Sequence, residues 1–226
     1  MARRFPRIRT FYGQEVGKGP RRIRLDWTYR GFHATVDGDA EGSWYIDPYS
    51  RANNLYYQSY RRKDLAVPAE AYPCGFDHST DHTANEEEVD YKIGDCVFRI
   101  YDLAISTTGE YYQAVGSNDA EVMSEISTAI NRVNGVTERD LSFRMELVAN
   151  NDLLLYDDGA TDPYDNNDGA AIIQISTGVI DGIIGNGAYD IGHVFSTGGG
   201  GVAYLGVVCN NGYTRWGGDG SSQPHR

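Results

Sequence analysis

The chain has 226 residues, 40% hydrophobic and 12% aromatic, which is enough apolar material for a packed core and excludes a disordered chain. Its formal charge of −12 argues against nucleic acid as a partner, because a backbone-binding surface needs clustered Lys and Arg to displace counterions. No run reaches the roughly 18–20 apolar residues of a spanning helix: the best, residues 172–184, is broken by Gln174, Ser176, Thr177, Asp181 and two glycines, so no membrane span is expected.

The opening MARRFPRIRT is basic, but no apolar run of about 7–15 residues follows it. It is not a secretory signal as written, and an export signal is expected upstream. Charge is uneven along the chain: residues 1–64 carry +6, residues 65–95 carry −7 and residues 96–226 carry −11, the last stretch without a single lysine. With 17 tyrosines and 27 glycines, this composition reads as that of a secreted, extracellular protein.

From Arg21 to Asp47 short runs rich in Ile, Val, Trp and Tyr alternate with turns: IRLDW, Tyr29-Arg30-Gly31, FHATV, Asp37-Gly38-Asp39, then SWYID closed by Pro48. This predicts a meander of short antiparallel strands. A fourth run, LYYQSY at 55–60, ends in the basic group Arg61-Arg62-Lys63. Residues 1–65 are therefore expected to be a small β-rich segment. Residues 66–95 hold prolines, His78, Asp81, His82 and the acidic run Glu86-Glu87-Glu88 with no sustained periodicity, and read as a linker.

VFRIYDLAIS, 97–106, is apolar with little alternation, as expected of a strand covered on both faces and central in a sheet. Between Asn118 and Asn134, Val122, Ile126, Ile130 and Val133 form one helix face, Asn118 and Glu121 have the form of a capping box, and Gly135 stands where a C-terminal cap belongs. FRMELVA, 143–149, alternates as a strand that LLLY, 153–156, extends past the Asn150-Asn151-Asp152 turn. An Asp- and Asn-dense loop, 157–169, leads into a helix at 172–184. YDIGHVF, 189–195, and VAYLGVVC, 202–209, are strand-like and separated by Gly198 to Gly201. The expected fold is α/β (α+β): a twisted mixed, mostly parallel sheet with two main helices over residues 96–226, preceded by the antiparallel segment.

No catalytic constellation is complete in these residues. His78 and His82 are four apart but lie in a segment without helical pattern, so a solvated pair outweighs a zinc site. His193, inside a strand, reads as a core histidine, His33 alternates within a β run, and His225 is next to last. The cysteines Cys74, Cys96 and Cys209 form no C-x-x-C pair. A calcium loop at Asp157–Asp168 lacks the D-x-[DN]-x-[DN]-G order and the later glutamate, so calcium is unsupported. Paired-acid glycoside hydrolysis from the same loop is disfavoured, because carboxylates in Asn/Asp-rich turns are usually solvated.

Several blocks in order, RIYDLAISTTGEYYQAVG, STAINRVNGVTERDLSFRMELVANNDLLLY, TDPYDNNDG and AYDIGHVFSTGGGGVAYLGVVCNNG, resemble the first half of the catalytic domain of bacterial reprolysin-like zinc metallopeptidases of the metzincin group. RIRLDWTYRGFHATV, WYIDPYS and YYQSYRRKDL resemble the propeptide-side segment of the same family. The resemblance implies a zinc metalloendopeptidase acting on peptide or protein substrates, with zinc held by an H-E-x-x-H-x-x-G-x-x-H helix. That motif does not occur in residues 1–226, so the expectation is of an incomplete catalytic domain, inactive alone, with its metal ligands outside this chain. It further implies that Gly198, Gly199, Gly200, Gly201, Val202, Ala203, Tyr204 and Leu205 line the substrate cleft, the strand from Gly201 binding an extended peptide by strand addition. Cys74, in Tyr72-Pro73-Cys74-Gly75, is the zymogen-latch candidate, although the arginine of the best-known latch pattern is absent between Pro73 and Cys74. The pairing of Cys96 and Cys209 stays open. The rival reading is a non-catalytic exported peptide- or protein-binding module that uses the same edge.

Overall fold

The computed structural model describes residues 3–17, 19–65, 97–198 and 201–203. It contains a five-stranded antiparallel sheet, a three-stranded parallel sheet and three α-helices, in agreement with the expected mixed α/β class.

The antiparallel sheet is a meander of β1 (Arg9–Gln14), β2 (Arg22–Thr28), β3 (Gly31–Asp37), β4 (Trp44–Ser50) and β5 (Asn53–Arg61), in chain order across the sheet. The turn signals read from the sequence close its hairpins, with Gly31 at φ 112° and Gly38 at φ 84°, conformations that exclude side chains other than glycine's at low cost. Two features differ from expectation. Arg9–Gln14, hidden in a basic opening, pairs with six of the seven residues of β2, from Arg9↔Trp27 to Gln14↔Arg22. Pro48 does not close β4 but sits inside it, where the pairing with β5 shifts register, so its missing N–H falls at an irregularity.

In the second unit β6 (Arg99–Thr107) is central, flanked in parallel by β7 (Phe143–Leu147) and β8 (Ile191–Phe195). Leu103 and Ile105 of β6 point into the core shared with α1 (Gly109–Val115) and α2 (Asp119–Asp140), while Ala104 points into the core under α3 (Gly169–Ile184). The lack of alternation in VFRIYDLAIS thus reflects burial on both faces. Helix α1 was not expected. Its start follows from Thr108, whose hydroxyl accepts from the Tyr111 amide at 3.2 Å.

Helix α2 begins as the sequence predicts, with Asn118 Oδ1 accepting from the Glu121 amide at 3.1 Å. The reciprocal half of the box is displaced, since the Glu121 carboxylate takes the Ser117 amide at 2.9 Å. The helix passes Gly135 and runs on to Asp140 because Asn134 and Glu138 are engaged by the sheets on either side. Val133 is 42% exposed, so the core face is Val122, Met123, Ile126 and Ile130. LLLY does not extend β7 either. Residues 151–154 form a 3-10 turn, because the buried Asn151 side chain takes the strand partner's place beside β6, accepting from the Ile105 amide at 2.7 Å and donating to its carbonyl at 3.0 Å.

The two sheets meet through α2, which is buried on two sides of different chemistry. One side carries the apolar core face. The other carries Ser124, Thr128, Asn131 and Glu138, spaced at four, three and seven, toward the antiparallel sheet. Asp26, 1% exposed, accepts from Thr128 Oγ1 at 2.8 Å and Asn131 Nδ2 at 3.3 Å and pairs with His33 Nδ1 at 3.0 Å. Arg24 pairs with Glu138, Arg132 of α2 reaches Asp47 of β4 at 2.5 Å, and Arg30 lies 3.2 Å from Glu121. Burial lowers the Arg24 pKa, with the neighbouring Arg144 guanidinium adding to the effect.

Removing the Asp26 carboxylate leaves buried donors on three residues without their acceptor. Asp26→Ala is expected to cost about 3–5 kcal/mol, and Asp26→Asn less, because one oxygen acceptor is kept. Urea unfolding checks this: a lower midpoint at unchanged m-value is the expected result.

Candidate functional site

The carboxyl ends of β6 and β8 lie side by side, the position where open parallel sheets bind ligands. Three segments converge there: Thr107–Thr108 at the end of β6, the loop 157–168, and the turn that leaves β8. Asn166, 9% exposed, binds them together. Its Oδ1 accepts from Thr108 Oγ1 at 2.8 Å and the Thr197 amide at 2.9 Å, and its Nδ2 donates to Thr197 Oγ1 at 2.9 Å.

Backbone approach at this rim is close enough to require glycine. A Cβ on Gly198 would fall 2.1 Å from the Asn166 carbonyl oxygen, and one on Gly109 would fall 2.0 Å from the Gly159 nitrogen. A cavity of about 220 Å³ opens between the end of β8 and the start of α3, with Gly198, Gly201, Val202, His193 and Phe195 in its wall. Val202 lies over the first turn of α3, so that a Cβ on Gly169 would meet its Cγ2 at 3.0 Å.

Of the rim residues expected from sequence, Gly198, Gly201 and Val202 therefore share one concave site. Gly201, Val202 and Ala203 are exposed and carry no regular secondary structure. Gly199, Gly200, Tyr204 and Leu205 lie outside the described residues, as do Cys74, Cys96, Cys209, His78, His82 and His225. His193 corrects the expectation of a core histidine: alternation along β8 buries Gly192 and Val194 and turns His193 to the exposed side, edge-on to Phe195 at 5.3 Å between ring centres.

Four of the five aspartates in the loop 157–168 accept hydrogen bonds from backbone amides. Asp162 accepts from the Gly109 amide at 2.6 Å and the Tyr164 amide at 2.7 Å, Asp158 from Ala160 at 2.9 Å, Asp165 from Asn167 at 3.1 Å, and Asp168 caps α3 through the Ala171 amide at 2.9 Å. Among the described residues no group of three or more His, Cys, Asp or Glu could hold a metal ion. Sequence reading missed the organising residues Asn166, Asn151, Thr108 and Asp162. The one signal available was Thr107-Thr108-Gly109 directly after an uninterrupted apolar strand, which places a capping hydroxyl at a strand's carboxyl end.

Tyrosines brace the same rim. Tyr164 donates to Ser106 Oγ at 3.0 Å and meets Tyr156 edge-on at 5.8 Å. Burial raises the pKa of both phenols, and burial pushes Tyr111 of α1 up to about 12. Tyr60, partly buried beside Asp47 in the antiparallel sheet, is likewise pushed up to about 12.

The architecture is mixed α/β, a five-stranded antiparallel sheet and a three-stranded parallel sheet with a glycine-walled cavity at the parallel sheet's carboxyl edge. The comparison that identifies it is with family models: residues 97–225 match the metallo-peptidase family M12B, reprolysin-like, and the chain belongs to that family. The family's activity is proteolysis, on peptide or protein substrates. Searches of curated proteins and of solved structures each gave no match. Among the described residues no helix is long and apolar enough to cross a membrane.

Two outcomes are expected from this geometry. Gly198→Ala should destabilise the protein by about 1–3 kcal/mol, since its Cβ meets a backbone oxygen that only a shift of the loop can relieve; thermal unfolding and faster hydrogen exchange at the Thr197 amide would register it. Stability should also fall as pH rises from about 10 towards 12: folded tyrosines with raised pKa keep protons that the unfolded chain has lost, so the unfolded state binds fewer protons. Phenolate absorbance rising together with loss of circular dichroism in that window is the check.

Proposed function

We propose that residues 97–225 form the substrate-holding, N-terminal part of the catalytic domain of a secreted zinc metalloendopeptidase, and that residues 1–226 alone do not hydrolyse peptides. The observation that carries this reading is the family match over 97–225 in a sequence without H-E-x-x-H. The lysine-free, tyrosine- and glycine-rich composition supports secretion.

The donor set of the described residues does not fit a catalytic zinc. His33 Nδ1 is committed to Asp26 in a buried site between β3 and α2, and His193 stands outside any cluster of three ligand-type side chains. No hydrolytic step is therefore assigned to them. In the active protein zinc would supply the water-activating charge, held by the H-E-x-x-H-x-x-G-x-x-H helix that the family resemblance implies outside these residues. What this chain contributes is positioning. Backbone N–H and C=O groups from Gly201 onward take an extended peptide as an added strand, the open space beside the Cα of Gly201 admits its backbone closely, and Asn166, packed against Gly198, holds the turn in place. Residues 1–65 are the propeptide-side segment and residues 66–95 the link to the catalytic part. Cys74 in that link is the latch, its thiolate a ligand for the zinc before activation.

A quenched fluorescent peptide library distinguishes the outcomes. Residues 1–226 with added zinc should give no cleavage, and the protein extended through an H-E-x-x-H segment should cleave and lose activity to a chelator. In the extended protein Val202→Pro, which removes one strand N–H, should lower kcat/KM about tenfold, the equivalent of about 1.4 kcal/mol. Zinc-dependent cleavage by residues 1–226 themselves would overturn the proposal.

A further inference from the structure

The antiparallel sheet turns its polar face inward and its apolar face outward. Register does the sorting. Arg24, Asp26 and Thr28 of β2 share the α2-facing side with His33 and Thr35 of β3, and all five are buried. The opposite side takes Phe11, Leu25, Trp27, Ala34, Trp44 and Tyr57, one or two from every strand. Trp27 is 53%, Phe11 49%, Tyr57 41% and Trp44 37% exposed. Trp27, Phe32 and Tyr57 run across this side as a ladder of rings with centroids 6.1 and 6.3 Å apart.

A large aromatic side chain carries roughly 150–250 Å² of buriable surface. These four half-exposed aromatics therefore leave on the order of 400 Å² in water, which by itself equals the largest patch of a typical monomer, about 300–600 Å². The half-buried neighbours on the same side bring the patch toward the roughly 800 Å² that each partner contributes to a standard interface.

We propose that this face is covered by the same face of a second copy of the chain, two antiparallel sheets stacking as a sandwich across a two-fold axis. Three observations favour a second copy. The four aromatics alone supply about half of the roughly 800 Å² that one partner of a standard interface contributes. The charge pattern suits self-contact: register places no charged side chain on this side of β2, β3 or β4, and leaves Arg9 and Arg61 on the edge strands β1 and β5, at the rim of the patch. The relief is self-complementary: Ala34, paired with Leu25 and Ile46, is a low point with Trp27 and Trp44 on opposite diagonals, opposite Phe32 and Val36, so one face offers both ridge and hollow as an isologous contact requires. Two meander sheets of equal twist pack face to face at about −30°.

Sedimentation of the purified chain at micromolar concentration tests this. The expected mass is twice the 25.0 kDa of one chain. The double variant Trp27→Glu/Trp44→Glu should halve that mass while keeping the parent's far-ultraviolet circular dichroism, and Val136→Glu, on the exposed side of α2, should leave the dimer intact. If the double variant fails to fold, Phe11→Lys probes the same face, and the parent's tryptophan emission should shift red on dilution as the dimer dissociates. A parent of monomeric mass, including one that instead floats with phosphatidylcholine vesicles, overturns the proposal. So does a folded double variant that remains dimeric.

Discussion

Asp26 carries a negative charge into a site with 1% exposure, between a sheet and a helix. Taking a carboxylate out of water costs several kcal/mol, and the cost is recovered only where its lone pairs are met with good geometry. Here the donors come from two elements, His33 from β3 and Thr128 and Asn131 from α2, and meet an acceptor on a third, Asp26 of β2. The antiparallel sheet and α2 can therefore adopt one relative position. Because the opposite side of α2 packs Val122, Ile126 and Ile130 against Leu103 and Ile105, that position is transmitted to β6 and, through Thr107 and Thr108, to the rim of the cleft. Ion pairs at Arg24–Glu138 and Arg132–Asp47 lie along the same seam, the sheet supplying the arginine in the first and the helix in the second.

Much of the fold was legible because its elements advertise one dominant period. IRLDW and FHATV alternate, residues 97–106 do not, and Val122, Ile126 and Ile130 recur at helical spacing. What escaped was decided by tertiary partners. Arg9–Gln14 becomes a strand because β2 offers it a full ladder, and Gly135 fails to stop α2 because Asn134 and Glu138 are held from both sides. LLLY is as apolar as a strand, yet Asn151 takes the ladder bonds first and bends the chain. The polar side of α2 was invisible for a related reason. Ser124, Thr128 and Asn131 look solvated by composition, and their burial shows only once a sheet with a polar inner face is laid against them.

Of the expected site, Gly198, Gly201 and Val202 line one cavity, and Gly198 is held against Asn166 as close approach demands, while Gly201 to Ala203 form no regular strand. Asn166 gave no signal of its own, since an Asn in an Asp-rich loop is the commonest of turn residues. Membership of the M12B reprolysin-like family gives proteolysis as the family's chemistry, while Asp162 and His33 are held in hydrogen bonds within the fold.

The central claim is that this chain presents a peptide-holding rim without a metal centre of its own. Elemental analysis of residues 1–226, after exposure to zinc and dialysis, addresses it most directly. The account predicts that no zinc is retained in stoichiometric amount. One zinc held per chain, and lost in the His78→Ala/His82→Ala variant, would contradict it and move the metal site into the segment that joins the two sheets.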